Sequence, residues 1–356
     1  MNLQDWMTPI WGGRIWRETF MMVRENGCCS APFLFHPEKI ERIESYDGKT
    51  QYELGRDCLI QGDRLILTEN SGIPATNWKR FYYDTREEAE KDQPANMGSD
   101  LVATTDGRYI NQHGVGNPEY VTDWQIAVTY TTRELYTGYR PKSALDKLPR
   151  FRKKLEQKEP IKIVVYGDSI CCGWDCSGMY GLEPGQPIFP ELLRESLETF
   201  YGIPVELVNT SVGGVNSDWA LENAEERAIA YQPDLFILGF GMNDRCPGDE
   251  YRKKTQALLE RLKEGCPQAE YVLIATSLPN PLAETPPQFF WCRQYEYGDA
   301  LRDLCGTGVV LADVQAVNRE LLRKKRYEDI GANMINHPND FFARIYAHVL
   351  DALLKP

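Results

Sequence analysis

The sequence is short of what several large functional classes require. Basic residues are in deficit, with 40 Lys and Arg against 52 Asp and Glu and a formal net charge of -12. Phosphate neutralisation needs a clustered basic surplus, so this balance argues against a nucleic-acid partner and against adhesion to an anionic membrane. Long apolar runs are missing as well. The greasiest stretches, such as residues 235–242, are strand-sized and well below the roughly 18–20 residues of a membrane-spanning helix. Near the N-terminus, Asp5, Arg14, Arg17 and Glu18 interrupt what a signal peptide would keep apolar, so a cytoplasmic location is expected. Histidine is scarce, at four residues, and the ten cysteines lack CxxC pairs; Cys172 and Cys176 are only loosely spaced. No metal and no other cofactor is therefore expected. The adjacent pairs Cys28-Cys29 and Cys171-Cys172 do not resemble a secreted disulfide framework and read as reduced thiols.

What is present is an ordinary globular balance, 42% apolar and 26% charged, over 356 residues. At roughly 100–200 residues per domain this length reads as two domains or one large one. Their textures differ. In residues 1–145, short strand-like runs (APFLF, KIERIESY, TQYELGRDCLI, DRLILT, and DWQIAVTYTT at 123–132) follow one another without long helices. Gly62-Asp63 is placed to turn a hairpin, and the charged segment 85–96 reads as a helix on a loop. This is the pattern of an all-β sandwich or jelly roll. Residues 146–160, highly charged and ended by Pro160, read as a linker. From residue 161 onward, apolar strands (IKIVVYG, PVELVNTS, DLFILGFG, AEYVLIATS, GVVLADV) alternate with helices at 189–201, 218–231, 249–265 and 339–353. That alternation predicts a parallel sheet covered on both faces, with ligands bound at the carboxyl ends of its strands.

Those strand ends carry the notable residues. Gly167-Asp168-Ser169 follows the first strand, Val212-Gly213-Gly214 the second, and Gly241-Met242-Asn243-Asp244 the third; Asn336-His337-Pro338-Asn339 opens the last helix. A serine hydroxyl is a weak nucleophile until a base takes its proton, and His suits that task near neutral pH. An oxyanion needs fixed donors: the Ser169 N–H, the Gly214 N–H (glycine lets the backbone approach closely) and the Asn243 side-chain amide can supply them. Asp168 is expected to bond within its own turn and Asp244 to orient its loop.

Four such motifs in this order resemble the SGNH (GDSL-type) hydrolase superfamily over about residues 161–356. Ser169, Gly214, Asn243 and His337 stand at its four named positions. The resemblance implies a flavodoxin-like three-layer α/β/α domain, here preceded by a jelly-roll-like sandwich, an arrangement similar to two-domain, family-two-like carbohydrate acetylesterases. It implies a carboxylic ester hydrolase acting through an acyl-serine. One position departs. Family members usually carry Asp three residues before the His to orient it, and here that residue is Met334. The expectation is a Ser169–His337 dyad helped by a main-chain carbonyl, with Asp340 the alternative orienter.

The implied substrate is an acetylated oligosaccharide, with Trp174 and Trp291 read either as stacking surfaces or as core residues, and the Pro-rich stretch 277–291 either as a wall of the acyl pocket or as a rigid surface loop. A short-chain lipid esterase or thioesterase is the alternative within enzymes. Met334 leaves room for a further alternative, an inactive glycan-binding protein. His36 and His113 are expected to be structural, and His348, on the last helix, to be non-catalytic. The sequence is compatible with a homo-oligomer.

Overall fold

A computed structural model describes residues 2–92, 101–111, 115–283 and 293–356. Five parallel strands form the central sheet, in the spatial order Val205–Asn209, Ile161–Gly167, Leu235–Gly239, Glu270–Ala275, Val309–Asp313. The inner strands are buried on both faces because each face is roofed, whereas the edge strand Val205–Asn209 leaves Glu206 and Asn209 exposed. Ile163, Val165, Ile237 and Ile274 point into one core, with Leu192, Leu193 and Leu197 of helix Phe189–Tyr201 and Phe342, Ile345 and Val349 of helix Asp340–Leu354. Val164, Tyr166, Phe236 and Leu273 point the other way, onto Leu258 and Leu262 of helix Gly248–Gly265. Strand alternation thus feeds two separate cores, and the three-layer arrangement is the result. The first strand has the second on one side and the third on the other. The strand order therefore reverses at Ile161–Gly167, and a crevice opens at that point.

The N-terminal region is antiparallel. One four-stranded sheet runs Arg14–Met21, Gln125–Thr131, Lys39–Ser45, Gln51–Tyr52, and another runs Arg24–Glu25, Cys28–Pro32, Arg64–Leu67, Cys58–Gln61. Gln61 pairs with Arg64 across the Gly62-Asp63 turn, where Gly62 has φ 57°, as a two-residue hairpin requires. Segment 85–96 contributes helix Arg86–Lys91, started by a capping box between Thr85 and Glu88; residues 93–96 lie outside the described residues.

Two features differ from the sequence reading. Residues 146–160, read as a linker, contain helix Pro149–Glu156, which buries Phe151 and Leu155 while its charges face water. The Phe151 N–H donates to Glu270 Oε2 at 2.9 Å, docking the helix on the parallel sheet. The expected helix 218–231 is broken into Ser217–Glu222, Ala224–Arg227 and a 3₁₀ turn at Ile229–Tyr231. The two regions also share a core, since Phe20, Phe33 and Val128 belong to the same apolar cluster as Ile330, Phe341 and Ile345. Buried polar bonds cross between them: Thr19 Oγ1 donates to the Asp329 carbonyl at 2.6 Å, and Lys325 pairs with Glu18 at 2.7 Å, both side chains fully enclosed.

Candidate active site

The strand Ile161–Gly167 ends against its neighbour so tightly that a Cβ on Gly167 would lie 2.5 Å from the Gly239 carbonyl oxygen and from Cys171 Sγ. Glycine is required there by close approach alone. Asp168 then leaves the strand in extended conformation and caps the following turn, its Oδ1 accepting from the Ile170 N–H at 3.0 Å. Ser169 is the first residue of that turn. Its Oγ lies 2.9 Å from Nε2 of His337, which the chain brings back from 168 residues downstream. Both side chains are nearly enclosed.

The other ring nitrogen, His337 Nδ1, lies 2.6 Å from Oδ2 of Asp175. A carboxylate only accepts, so Nδ1 carries the proton and Nε2 is left free to accept from the Ser169 hydroxyl. This corrects the expected dyad: a carboxylate, not a main-chain carbonyl, sits behind the imidazole. It also excludes Asp340 from that place. Asp340 is turned toward the nucleophile's own loop, where its Oδ1 accepts from the Ser177 N–H at 2.9 Å. Asp175 comes from that loop, six residues after the serine, and is fully buried with φ 66°, a left-handed conformation that Asp tolerates better than most residues. Met334 pointed to an orienter elsewhere, but no spacing rule singled out Asp175 from the GWDCSG segment.

The residues expected to stabilise an oxyanion gather at the same strand ends. Gly214 has φ 79°, and the Asn243 amide donates to the carbonyl of adjacent Val215 at 2.9 Å, tying the second and third loops together. Asp244 holds that junction from below, accepting from the Ser217 N–H at 3.2 Å and from the Ser217 hydroxyl. Trp174 is half-buried. Its ring meets the His337 ring edge-on at 5.9 Å, and a Cβ on Gly213 would lie 2.6 Å from the indole. Trp291 and His113 lie outside the described residues. His36 bonds Asp63 on the surface at 2.9 Å, and His348 is buried against the Trp6 carbonyl at 2.8 Å.

Burial sets the electrostatics. The Asp168 carboxyl is pushed up to about 7, chiefly by desolvation, against the opposing pull of the Ile170 N–H and of His337. Desolvation also raises Asp244, despite its bonds to Ser217. The neighbouring thiols are raised for the same reason, Cys172 to about 11 and Cys171 well above its usual value, so neither competes with Ser169 as a nucleophile near neutral pH. Among the described residues no cluster of His, Cys, Asp or Glu could hold a metal ion. A polar cavity of about 250 Å³, walled in part by Tyr46, Tyr52, Asp123 and Glu183, includes none of Ser169, His337 and Asp175 in its lining.

Residues 165–345 match the model of the GDSL-like Lipase/Acylhydrolase family. No curated protein is matched. Among solved structures, the chain is similar to a two-domain esterase (CEX) active on acetylated mannans, at 18% identity and a TM-score of 0.47 over 60% of this chain and 53% of that one. It is also similar to the acetylxylan esterase Axe2 from Geobacillus stearothermophilus, solved as a catalytic mutant, at 19% identity and a TM-score of 0.44 over 53% and 92% of the two chains. A third is LAE5, an alpha/beta hydrolase enzyme from the metagenome of Lake Arreo, Spain, at 21% identity and a TM-score of 0.44 over 55% and 97%. The chain spans about half the length of the first of these.

Proposed function

The chain belongs to the GDSL-like lipase/acylhydrolase family, and from that premise we propose that it is a serine esterase removing O-acetyl groups from carbohydrates. One observation carries the ester-hydrolysis part: the unbroken relay from Ser169 Oγ through His337 to Asp175, with spacings of 2.9 and 2.6 Å. In this mechanism His337 Nε2 takes the hydroxyl proton as Ser169 Oγ attacks the acetyl carbonyl. The Ser169 and Gly214 N–H groups and the Asn243 amide receive the developing oxyanion; each such donor is typically worth about 2.7–4 kcal/mol of transition-state stabilisation. His337 then protonates the departing sugar hydroxyl. Water, deprotonated by the same nitrogen, cleaves the acetyl-serine and releases acetate.

The carbohydrate part rests on Trp174. A half-exposed indole set edge-on to the catalytic imidazole offers a flat apolar face to the C–H surface of a sugar ring held at the ester. The reading of an inactive glycan-binding protein drew on Met334 in place of an orienting acid, and Asp175 removes that ground.

The test is acetate release by wild type and Ser169→Ala, first from 4-nitrophenyl acetate and then from acetylated xylo- and manno-oligosaccharides, with butyrate and octanoate esters alongside. The expected result is activity lost in the variant and, in wild type, kcat/KM highest on the acetylated oligosaccharides. Preference for octanoate would instead mark a lipid esterase, and equal activity in both proteins would remove Ser169 as the nucleophile.

A further inference from the structure

Asp175 is a buried carboxylate on a left-handed residue in the middle of a loop, and its position depends on its partners. Oδ1 accepts from the Gly116 N–H at 2.8 Å and from the Tyr180 hydroxyl at 3.4 Å. Oδ2, the oxygen that meets His337, also accepts from Asn333 Nδ2 at 3.0 Å. The other end of that amide is equally occupied. Asn333 Oδ1 accepts from the backbone N–H groups of Ile335 at 2.9 Å, Asn336 at 2.8 Å and His337 at 3.1 Å, closing the turn on which the imidazole is mounted. Asn333 is 1% exposed, so neither end competes with water.

We propose that Asn333 is the positioning residue of the site, one amide that fixes the backbone of His337 and the carboxylate behind its ring at the same time. This rests on the Ser169–His337–Asp175 relay assigned above. The chemistry of the side chain fits both duties. Three N–H groups need an acceptor, and Asp175 needs a donor; of the side chains of this length, only an amide offers both at once. A neutral donor also holds Asp175 without neutralising it, leaving the negative charge to stabilise the imidazolium formed in each step. A Lys or Arg at this place would compete for that charge.

Asn333→Asp separates the two duties. The carboxylate still accepts from the three backbone N–H groups, so the turn is kept, but its other oxygen meets Asp175 Oδ2 as a second carboxyl, so the neutral amide donor is replaced by a like charge or a shared proton. Asn333→Ser is the second variant, should the first not fold: its hydroxyl can accept from backbone N–H groups in an ST turn but is too short to reach Asp175. Each variant is made in wild type and in an Asp175→Ala background, and kcat and KM are measured on 4-nitrophenyl acetate. We expect kcat to fall tenfold or more with KM within twofold in the wild-type background, and less than twofold in kcat where Asp175 is already absent, because the residue acts through that carboxylate. Equal losses in the two backgrounds would overturn the proposal by making Asn333 merely structural, and so would wild-type kcat in both variants. Activity surviving Ser169→Ala would overturn the relay and this inference together. Activity lost in Ser169→Ala but intact in the Asn333 variants would overturn this inference alone.

Discussion

Asp175 shows how much can hang on one side chain whose backbone is unfavourably placed. Its carboxylate selects the imidazole tautomer, and that selection is what leaves Nε2 free toward Ser169. Asp175→Asn keeps the shape and reverses the selection: the amide can donate to Nδ1, which moves the ring proton to Nε2 and leaves the serine without a base. In serine proteases the same exchange costs about 10⁴ in turnover. A loss of that order in kcat on 4-nitrophenyl acetate is expected, together with a lower thermal midpoint, because the new amide N–H group faces the buried Asn333 donor. A loss below tenfold would mean that the carboxylate does not serve the reaction. Ser169, Gly214, Asn243 and His337 were legible because each stands at a strand end or a helix start. Asp175 was not, because the loop segment GWDCSG carries no periodicity to say which side chain turns inward.

Among the elements, helix Pro149–Glu156 is the most instructive. Its sequence, PRFRKKLE, is mostly charge, and composition alone reads it as a linker. Phe151 and Leu155, four residues apart, share one helical face, and that spacing lets a highly charged segment dock through two side chains. Phe151→Ala should therefore destabilise the protein by about 3–5 kcal/mol, the usual cost of emptying a buried phenylalanine site. Urea unfolding would measure this; a change under about 0.5 kcal/mol, typical of an exposed linker residue, would contradict the docking. The inner strands of the parallel sheet were readable without such help, since burial on both faces leaves nearly continuous apolar runs. Strand Arg14–Met21 escaped notice because Arg17 and Glu18 interrupt its apolar pattern. In the fold Arg17 pairs with Glu44, and Glu18 with Lys325, all of them buried.

At the scale of the whole molecule, the antiparallel region and the parallel-sheet region share a core, and His348 sits at their junction. Its Nε2–H donates to the Trp6 carbonyl, its ring meets Trp11 edge-on at 6.2 Å, and burial pushes its pKa down to about 3. The unfolded chain takes up this proton near pH 6.5, while the folded protein refuses it until about pH 3. The unfolded state therefore binds more protons within that window, and stability falls as pH is lowered through it, by at most ~1.4 kcal/mol per pH unit from this one group. His348→Gln removes the titration, so its stability should decline less steeply than wild type between pH 6.5 and 4, as read by urea midpoints at several pH values. Parallel slopes would place the acid sensitivity elsewhere.

The sequence alone determined the sheet types, the position of Ser169, Gly214 and Asn243 after strands and of His337 just before the last helix, and the family these residues resemble. These are local matters, readable from side-chain alternation and from turns that only certain residues can make. Only the tertiary structure decided which carboxylate stands behind His337, what holds that carboxylate in place, and that the N-terminal strands and the hydrolase sheet share a core. Those outcomes depend on contacts between residues separated by more than a hundred positions, such as His337 with Asp175 or Lys325 with Glu18. No local pattern encodes them, because the free energy that selects them comes from excluding water between surfaces that meet only once the chain has folded.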